Sequence, residues 1–251
     1  MEVPRGTRGA DVSEHISRKE LKQDKVRETF AHGAEAVLSH QKLVSWALVV
    51  LAIAGALYLG WKFYSERQES EAQAGLDAAM LVFTAPIAVP GQPTPPGETA
   101  YPSMLLRAQD AQTKFTTVAD RFPRTKPGKL ARYYSVLCLM DLDRLNQAAE
   151  ELNRLHAGSD KELAALTMYQ SAKILERTGK TEEAIKTLRT LSTSGSVLVP
   201  KPMVLLEIAG LLGQSDPKQA ATMYEQLKKD YPNTAVADEA DRGLELLGSG
   251  S

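Results

Sequence analysis

The chain has 251 residues, of which 43% are hydrophobic and 24% are charged, and this ordinary globular balance argues against a wholly disordered protein. Its 30 Lys and Arg residues nearly cancel its 31 Asp and Glu residues, so no overall field favours binding to nucleic acid. The single cysteine, Cys138, excludes a disulfide framework within one chain and a cysteine-rich zinc site.

Residues 1–42 are predicted to form a basic segment on the cytoplasmic side of a membrane. Ser17-Arg18-Lys19-Glu20 fits a helix capping box, and apolar residues recur at helical spacing over residues 16–38. Two interpretations of this amphipathic helix stay open. It is either a solvated topology signal, or a helix that binds anionic lipid or a cytoplasmic partner.

Residues 43–61 are predicted to form a transmembrane helix. No charged side chain interrupts these 19 residues. As a helix they span about 28 Å, close to the roughly 30 Å of a bilayer core. Trp46 near one end and Trp61 near the other are typical of the two membrane interfaces. The preceding charged segment is far longer than that of a signal peptide, so an uncleaved anchor is expected.

The distribution of basic residues predicts the orientation of this anchor. Residues 1–42 hold eight Lys and Arg residues, whereas residues 62–106 hold two. By the positive-inside rule the C-terminal part lies across the membrane from the cytoplasm, which in a bacterium is the periplasm. Ala52, Ala56 and Gly60 also form a small-residue stripe that would let a second helix pack closely, with plain anchoring as the alternative.

Residues 62–247, the predicted periplasmic domain, contain an internal repeat. In each copy, an alanine is followed by one apolar residue four positions later and by a second apolar residue seven positions later. The four copies start 37, 36 and 36 residues apart. Alanine permits a close approach of two helices, and the larger residue one turn later fills the gap between helical hairpins. The predicted packing pairs are Ala111 and Phe115, Ala148 and Leu152, Ala184 and Leu188, and Ala220 and Tyr224.

This pattern resembles the tetratricopeptide repeat, whose second helix carries the same positions and ends at a proline, as at Pro123 and Pro232. The resemblance implies an all-α fold. One transmembrane helix would be followed by a tetratricopeptide-like α-solenoid of about four helical hairpins and a capping helix. Val136 and Ile208 stand where the repeat usually has a small residue, so wider helix contacts are expected there.

The sequence predicts an insertion in the first hairpin and a tail after the last helix, and the phase of the repeat predicts where the helices lie. Six prolines between residues 84 and 103 predict an insertion of polyproline character, either passive or a docking segment. Residues 248–251 are expected to be a flexible tail. The expected helices span residues 63–83, 103–121, 127–141, 144–156, 161–178, 181–192, 201–213, 217–230 and 235–247.

The sequence predicts no catalytic, cofactor-binding or metal-binding residues, so an enzyme is the least favoured class. His156 is the one histidine outside the N-terminal segment, and Cys138 is expected to be a buried apolar residue. Stacked hairpins instead leave a concave groove, lined mainly by their first helices, that binds peptides or partner helices. The candidate groove residues are Arg132, Tyr133, Met168, Tyr169 and Lys173.

The whole layout is similar to the ancillary SecYEG translocon subunit (YfgM-like) family. That resemblance implies a bacterial inner-membrane protein whose periplasmic domain binds Sec translocon subunits, periplasmic chaperones or unfolded clients, without a cofactor. The alternative rests on residues 231–237, which resemble the repeat ends of Tol-Pal-associated cell-division coordinators. Those envelope scaffolds are usually secreted with a cleaved signal, whereas the anchor here is expected to stay uncleaved.

Overall fold

The part of the chain that the structure describes is built from α-helices, which confirms the all-α prediction. The structure is a computed structural model that describes residues 41–89, 100–155, 158 and 160–249. The helices are α1 (Gln41–Phe83), α2 (Met104–Arg121), α3 (Lys126–Asp141), α4 (Leu145–Arg154), α5 (Lys161–Arg177), α6 (Thr181–Leu191), α7 (Lys201–Ser215), α8 (Pro217–Asp230) and α9 (Ala235–Ser249).

The observed helix ends differ from the predicted ones by a few residues. α4 ends at Arg154 instead of residue 156, and α9 continues through Gly248 and Ser249, where the sequence predicts a flexible tail. The predicted cytoplasmic helix lies outside the described residues, as does the central part of the proline-rich insertion.

The chain divides into two compact units, Met1–Tyr64 and Ser65–Ser251. In the described residues, α1 is the helix that is long and apolar enough to cross a membrane. Its stretch Ser45–Phe83 includes a window with a mean hydropathy of 1.7, none of which is buried. Large apolar side chains such as Leu51 and Trp61 are 72% and 70% exposed. Such a surface is typical of a helix that faces lipid, so α1 contains a candidate membrane span.

In the second unit, each helix from α2 to α9 packs on the next. α3 and α4, α5 and α6, and α7 and α8 form successive hairpins, and α9 packs on α8 and α7 as a cap. The part of α1 in this unit packs against α2, since Ala72 and Leu76 share a buried cluster with Phe115. The predicted solenoid of four hairpins and a capping helix is therefore the observed architecture.

The core of this unit follows the repeat. All eight predicted packing residues are buried, and Tyr224, at 7% exposed, is the most accessible of them. Val136 and Ile208 are also buried, at 0% and 1% exposed. The repeated alanine and the larger residue one turn later therefore lie in the interior between helices.

Two of the hairpin turns have the same hydrogen-bond pattern. The N–H of Arg144 donates to the carbonyl of Leu139, and 36 residues later the N–H of Lys180 donates to the carbonyl of Leu175. The residue before each donor has a positive φ, 57° at Asp143 and 78° at Gly179. This is the Schellman ending, in which the left-handed residue satisfies the last helical carbonyls.

The two ends of the proline-rich insertion are held together. Tyr101 N–H donates to the carbonyl of Pro86 at 2.9 Å, and Ala88 N–H donates to the carbonyl of Tyr101 at 2.8 Å. Arg107 Nη1 donates to the carbonyl of Ala85 at 3.0 Å, and the Tyr101 hydroxyl donates to Asp110. These hydrogen bonds therefore fix the two ends of the insertion next to each other, beside the end of α1 and the start of α2.

Candidate protein-binding groove

A cavity of about 560 Å³ lies along the first helices of three successive hairpins. α1, α3 and α5 line it, and the loop between α6 and α7 adds one more side chain. This is the kind of surface that the first helices of stacked hairpins leave open. Its apolar lining residues are Leu76, Pro127, Leu130, Leu163, Leu166 and Leu198.

Helix starts position two of these elements. Thr125 caps α3 by accepting from Gly128 N–H at 3.0 Å, and Asp160 caps α5 by accepting from Leu163 N–H at 3.0 Å. Gly128 is required by close approach, because a Cβ there would lie 1.8 Å from the carbonyl oxygen of Phe122. The caps therefore fix where Leu130 and Leu163 enter the groove.

Glu162 holds the loop that carries Leu198. Its carboxylate accepts from Ser196 Oγ at 2.6 Å and from the backbone N–H groups of Val197 at 3.1 Å and Leu198 at 2.9 Å. The hydrogen bond from Ser196, followed by those from Leu198 and Val197, lowers the pKa of Glu162. The loop therefore presents Leu198, which is 59% exposed, as part of the groove.

The charged residues of the groove are mainly acidic. Glu66, Glu69, Asp160 and Glu162 line it together with a single cation, Lys126. Glu69 Oε1 accepts from the backbone N–H of Lys126 at 3.2 Å, which links α1 to the start of α3. The groove therefore combines apolar lining residues with more carboxylates than cations among its described residues.

The five candidate groove residues from the sequence lie on α3 and α5, but none of them lines this cavity. Tyr133 is buried, and its hydroxyl accepts from Gln170 Nε2 at 3.2 Å. Met168 is half-buried and packs against the core of the last two hairpins. Arg132, Tyr169 and Lys173 belong to ion-pair and hydrogen-bond networks. Whether any of the five binds a partner stays a prediction.

Tyr169 and Lys173 connect α5 to α7. Lys173 Nζ lies 2.6 Å from Glu207 Oε1 and 2.6 Å from Glu176 Oε2, and the Tyr169 hydroxyl lies 3.4 Å from Glu207 Oε2. Burial opposes the charge of Lys173, but its ion pairs with the two glutamates together outweigh burial and raise the pKa of the ammonium group. Both side chains therefore help to hold the α5/α6 hairpin against the α7/α8 hairpin.

Arg132 lies in a separate cleft of about 430 Å³, which Arg124, Lys129 and Arg154 also line. Its Nη2 donates to Asp120 Oδ1 at 2.7 Å and its Nη1 donates to Glu151. Arg132 is only 8% exposed, and its buried charge is paired with the carboxylates of Asp120 and Glu151. This network joins α2, α3 and α4, and it was not evident from the repeat pattern, because its members come from three helices.

Cys138 lies in the buried core of the second unit. Cys138 is fully buried, and burial raises the pKa of its thiol to about 12, so the thiol is protonated at neutral pH. No group of three or more His, Cys, Asp or Glu residues within the described ranges could hold a metal ion. The groove has apolar lining residues from three helices and one loop, which makes it a candidate site for another molecule.

Comparison with known proteins supports the repeat assignment. The family model of the tetratricopeptide repeat matches residues 166–194 and 204–234, which cover most of the α5/α6 and α7/α8 hairpins. No curated protein and no solved structure matches the chain. The match and the all-helical array together show that these two hairpins are similar to tetratricopeptide repeats, a repeat type characteristic of proteins that bind other proteins.

Proposed function

We propose that this protein is a membrane-anchored adaptor that binds polypeptide segments in the groove of α1, α3 and α5 as an accessory of the Sec translocon. The apolar lining of the groove is the observation that carries the proposal. Leu130, Leu166 and Leu198 face one cavity and keep part of their apolar surface in water, 59% in the case of Leu198. A partner that covers them gains this burial.

The mechanism requires binding only. A polypeptide segment places apolar side chains on the leucines, and the anchor keeps the groove close to the membrane where polypeptides emerge. Restriction to that surface raises the effective concentration of the groove for an emerging segment without any new contact. Chaperones that then take over the client would be the second class of partner.

The proposal includes a topology. The N-terminus lies in the cytoplasm of a bacterium, residues 43–61 cross the inner membrane, and residues 62–247 lie in the periplasm. The excess of Lys and Arg in residues 1–42 over residues 62–106 supports this orientation. The exposed apolar side chains of α1 support the span itself.

Crosslinking of the full-length protein in its native membrane, followed by mass spectrometry, tests the translocon assignment. We expect adducts with Sec channel subunits and periplasmic chaperones. Adducts with Tol-Pal or division proteins, without Sec subunits, would contradict the translocon role and favour an envelope scaffold. A sample from cells without the protein controls for background.

A further inference from the structure

The groove has a charge as well as an apolar lining, and we infer that it prefers polypeptide segments in which Lys or Arg residues flank apolar residues. The inference rests on the proposed function and adds to it the chemistry of the partner. It depends on the carboxylates around the groove, on their hydrogen bonds and on the position of Leu198.

The charge balance of the groove favours a cationic partner. Among the described residues, four of its five charged lining residues are carboxylates, and Lys126 is the exception. Opposite charges at the edge of a binding surface favour the correct partner and disfavour like-charged ones. An acidic segment would place its carboxylates next to those of the protein, whereas a basic segment would neutralise them.

Two carboxylates keep an oxygen available for such a partner. Glu69 uses Oε1 for the N–H of Lys126, and Asp160 uses Oδ1 for the N–H of Leu163. Within the described residues, Glu69 Oε2 and Asp160 Oδ2 accept no hydrogen bond. Glu162 differs, because both of its oxygens hold the loop with Leu198. Glu69 and Asp160 are therefore the acceptors that we assign to Lys or Arg of the partner.

The apolar part of the partner is assigned to the leucines. Leu130 of α3 and Leu166 of α5 are partly buried, and Leu198 adds a side chain that is 59% exposed. A purely basic segment would leave these side chains in water, and a purely apolar one would leave the two carboxylate oxygens unpaired. A segment that contains both kinds of residue satisfies both parts of the groove.

Peptide binding to the full-length protein tests this inference. The protein is placed in nanodiscs of uncharged lipid, and empty nanodiscs correct for binding to the bilayer. Three fluorescent nonapeptides share alternating leucines and carry Lys, Gln or Glu at the remaining positions. We expect the Leu/Lys peptide to bind about tenfold more tightly than the Leu/Glu peptide, as two exposed charge pairs allow.

Charge-neutral variants show whether the preference comes from the two carboxylates. The double variant Glu69→Gln and Asp160→Asn keeps both side-chain acceptors for the backbone but removes both charges. It should lower the preference for the Leu/Lys peptide to about threefold or less, as expected when two weak charge pairs are lost. Glu225→Gln with Asp238→Asn makes the same change of charge on exposed residues outside the groove and should leave the preference unchanged.

A change in the apolar lining separates this inference from the proposed function. Leu198→Ser should weaken the binding of all three peptides. Val197→Ser is the control and should leave binding unchanged, because Val197 is more exposed than Leu198 but does not line the cavity. Equal binding of the three peptides, with sensitivity to Leu198→Ser, would overturn the charge preference and leave the groove intact. Absence of peptide binding, or insensitivity to Leu198→Ser, would overturn both.

Discussion

Tyr224 illustrates how single residues set the distance between helices. Its ring lies between two glycines: a Cβ on Gly243 of α9 would lie 2.4 Å from Tyr224 Cζ, and one on Gly210 of α7 would lie 3.7 Å from the hydroxyl oxygen. The side chain is 7% exposed, so it has little room to move. Gly243 therefore gives the capping helix the space that it needs to cover the last hairpin.

We predict that Gly243→Ala destabilises the protein. The added methyl group forces the Tyr224 ring or α9 to shift, at a cost of about 1–3 kcal/mol. Helix propensity returns about 1 kcal/mol, so we expect a net destabilisation of up to about 2 kcal/mol. Thermal unfolding followed by far-UV circular dichroism measures the effect. Gly248→Ala is the control on the same helix, since among the described residues no atom outside its own turn of helix lies within 4 Å of its Cβ position. Equal shifts in both variants would contradict the close contact.

Glu162 should make stability depend on pH. Because the hydrogen bonds from the 196–198 loop lower its pKa in the folded state, its contribution is present above the ordinary glutamate pKa of about 4.3 and is lost as the pH falls through the folded value. Glu162→Gln should lower the melting temperature at neutral pH. We expect the difference from the unaltered protein to shrink in acid.

Glu183→Gln is the control for this measurement, since Glu183 is exposed in the first turn of α6 and its side chain accepts no hydrogen bond from the described residues. It should show no comparable pH dependence. A difference between Glu162→Gln and the unaltered protein that stays constant from neutral pH to acid would mean that the carboxylate does not hold the loop.

At the scale of helices, the repeated alanines mark where two helices meet. Ala184 is fully buried on α6, within the cluster that also contains Leu188 and Ile208. Its equivalents Ala148 and Ala220 are fully buried too. A position that recurs at this spacing with the same small residue is therefore one where a larger side chain has no space.

Ala184→Leu should lower the free energy of unfolding by about 1–3 kcal/mol, because a larger side chain in a close-packed interior forces neighbouring helices apart. Thermal unfolding of the full-length protein in detergent gives the comparison. Arg189→Leu introduces the same side chain at an exposed position of the same helix and should have a small effect. A neutral result for Ala184→Leu would show that this position does not lie at a tight helix crossing.

Recurrence also explains which features the sequence predicts. The helices and their buried alanines repeat every 36 or 37 residues, so each copy supports the others. Gly128, Gly243 and the pairing of Glu162 with residues 196–198 each occur once, and their partners are distant in the sequence. The cavity lies near the starts of α3 and α5, whereas the predicted groove residues lie further along them, because the pattern indicates the helix but not the exposed part of it.

At the scale of the whole molecule, the proposal depends on which side of the membrane holds the repeats. An alkaline phosphatase fused after Ser251 should be active, because that enzyme folds in the oxidising periplasm. A fusion after residue 42, before the predicted span, should be inactive. Activity with the reverse pattern would contradict the assigned topology, although it would leave the helical fold unchanged.

The binding of polypeptides in the groove of α1, α3 and α5 is the central claim, and site-specific photo-crosslinking in the native membrane tests it most directly. Three variants each carry one photoreactive residue. It replaces Gln73 or Leu198, which line the groove, or Arg189, which is exposed on α6 and lies outside the groove. We predict polypeptide adducts from positions 73 and 198 and none from position 189. Adducts from position 189 alone, or equal adducts from all three positions, would contradict the claim.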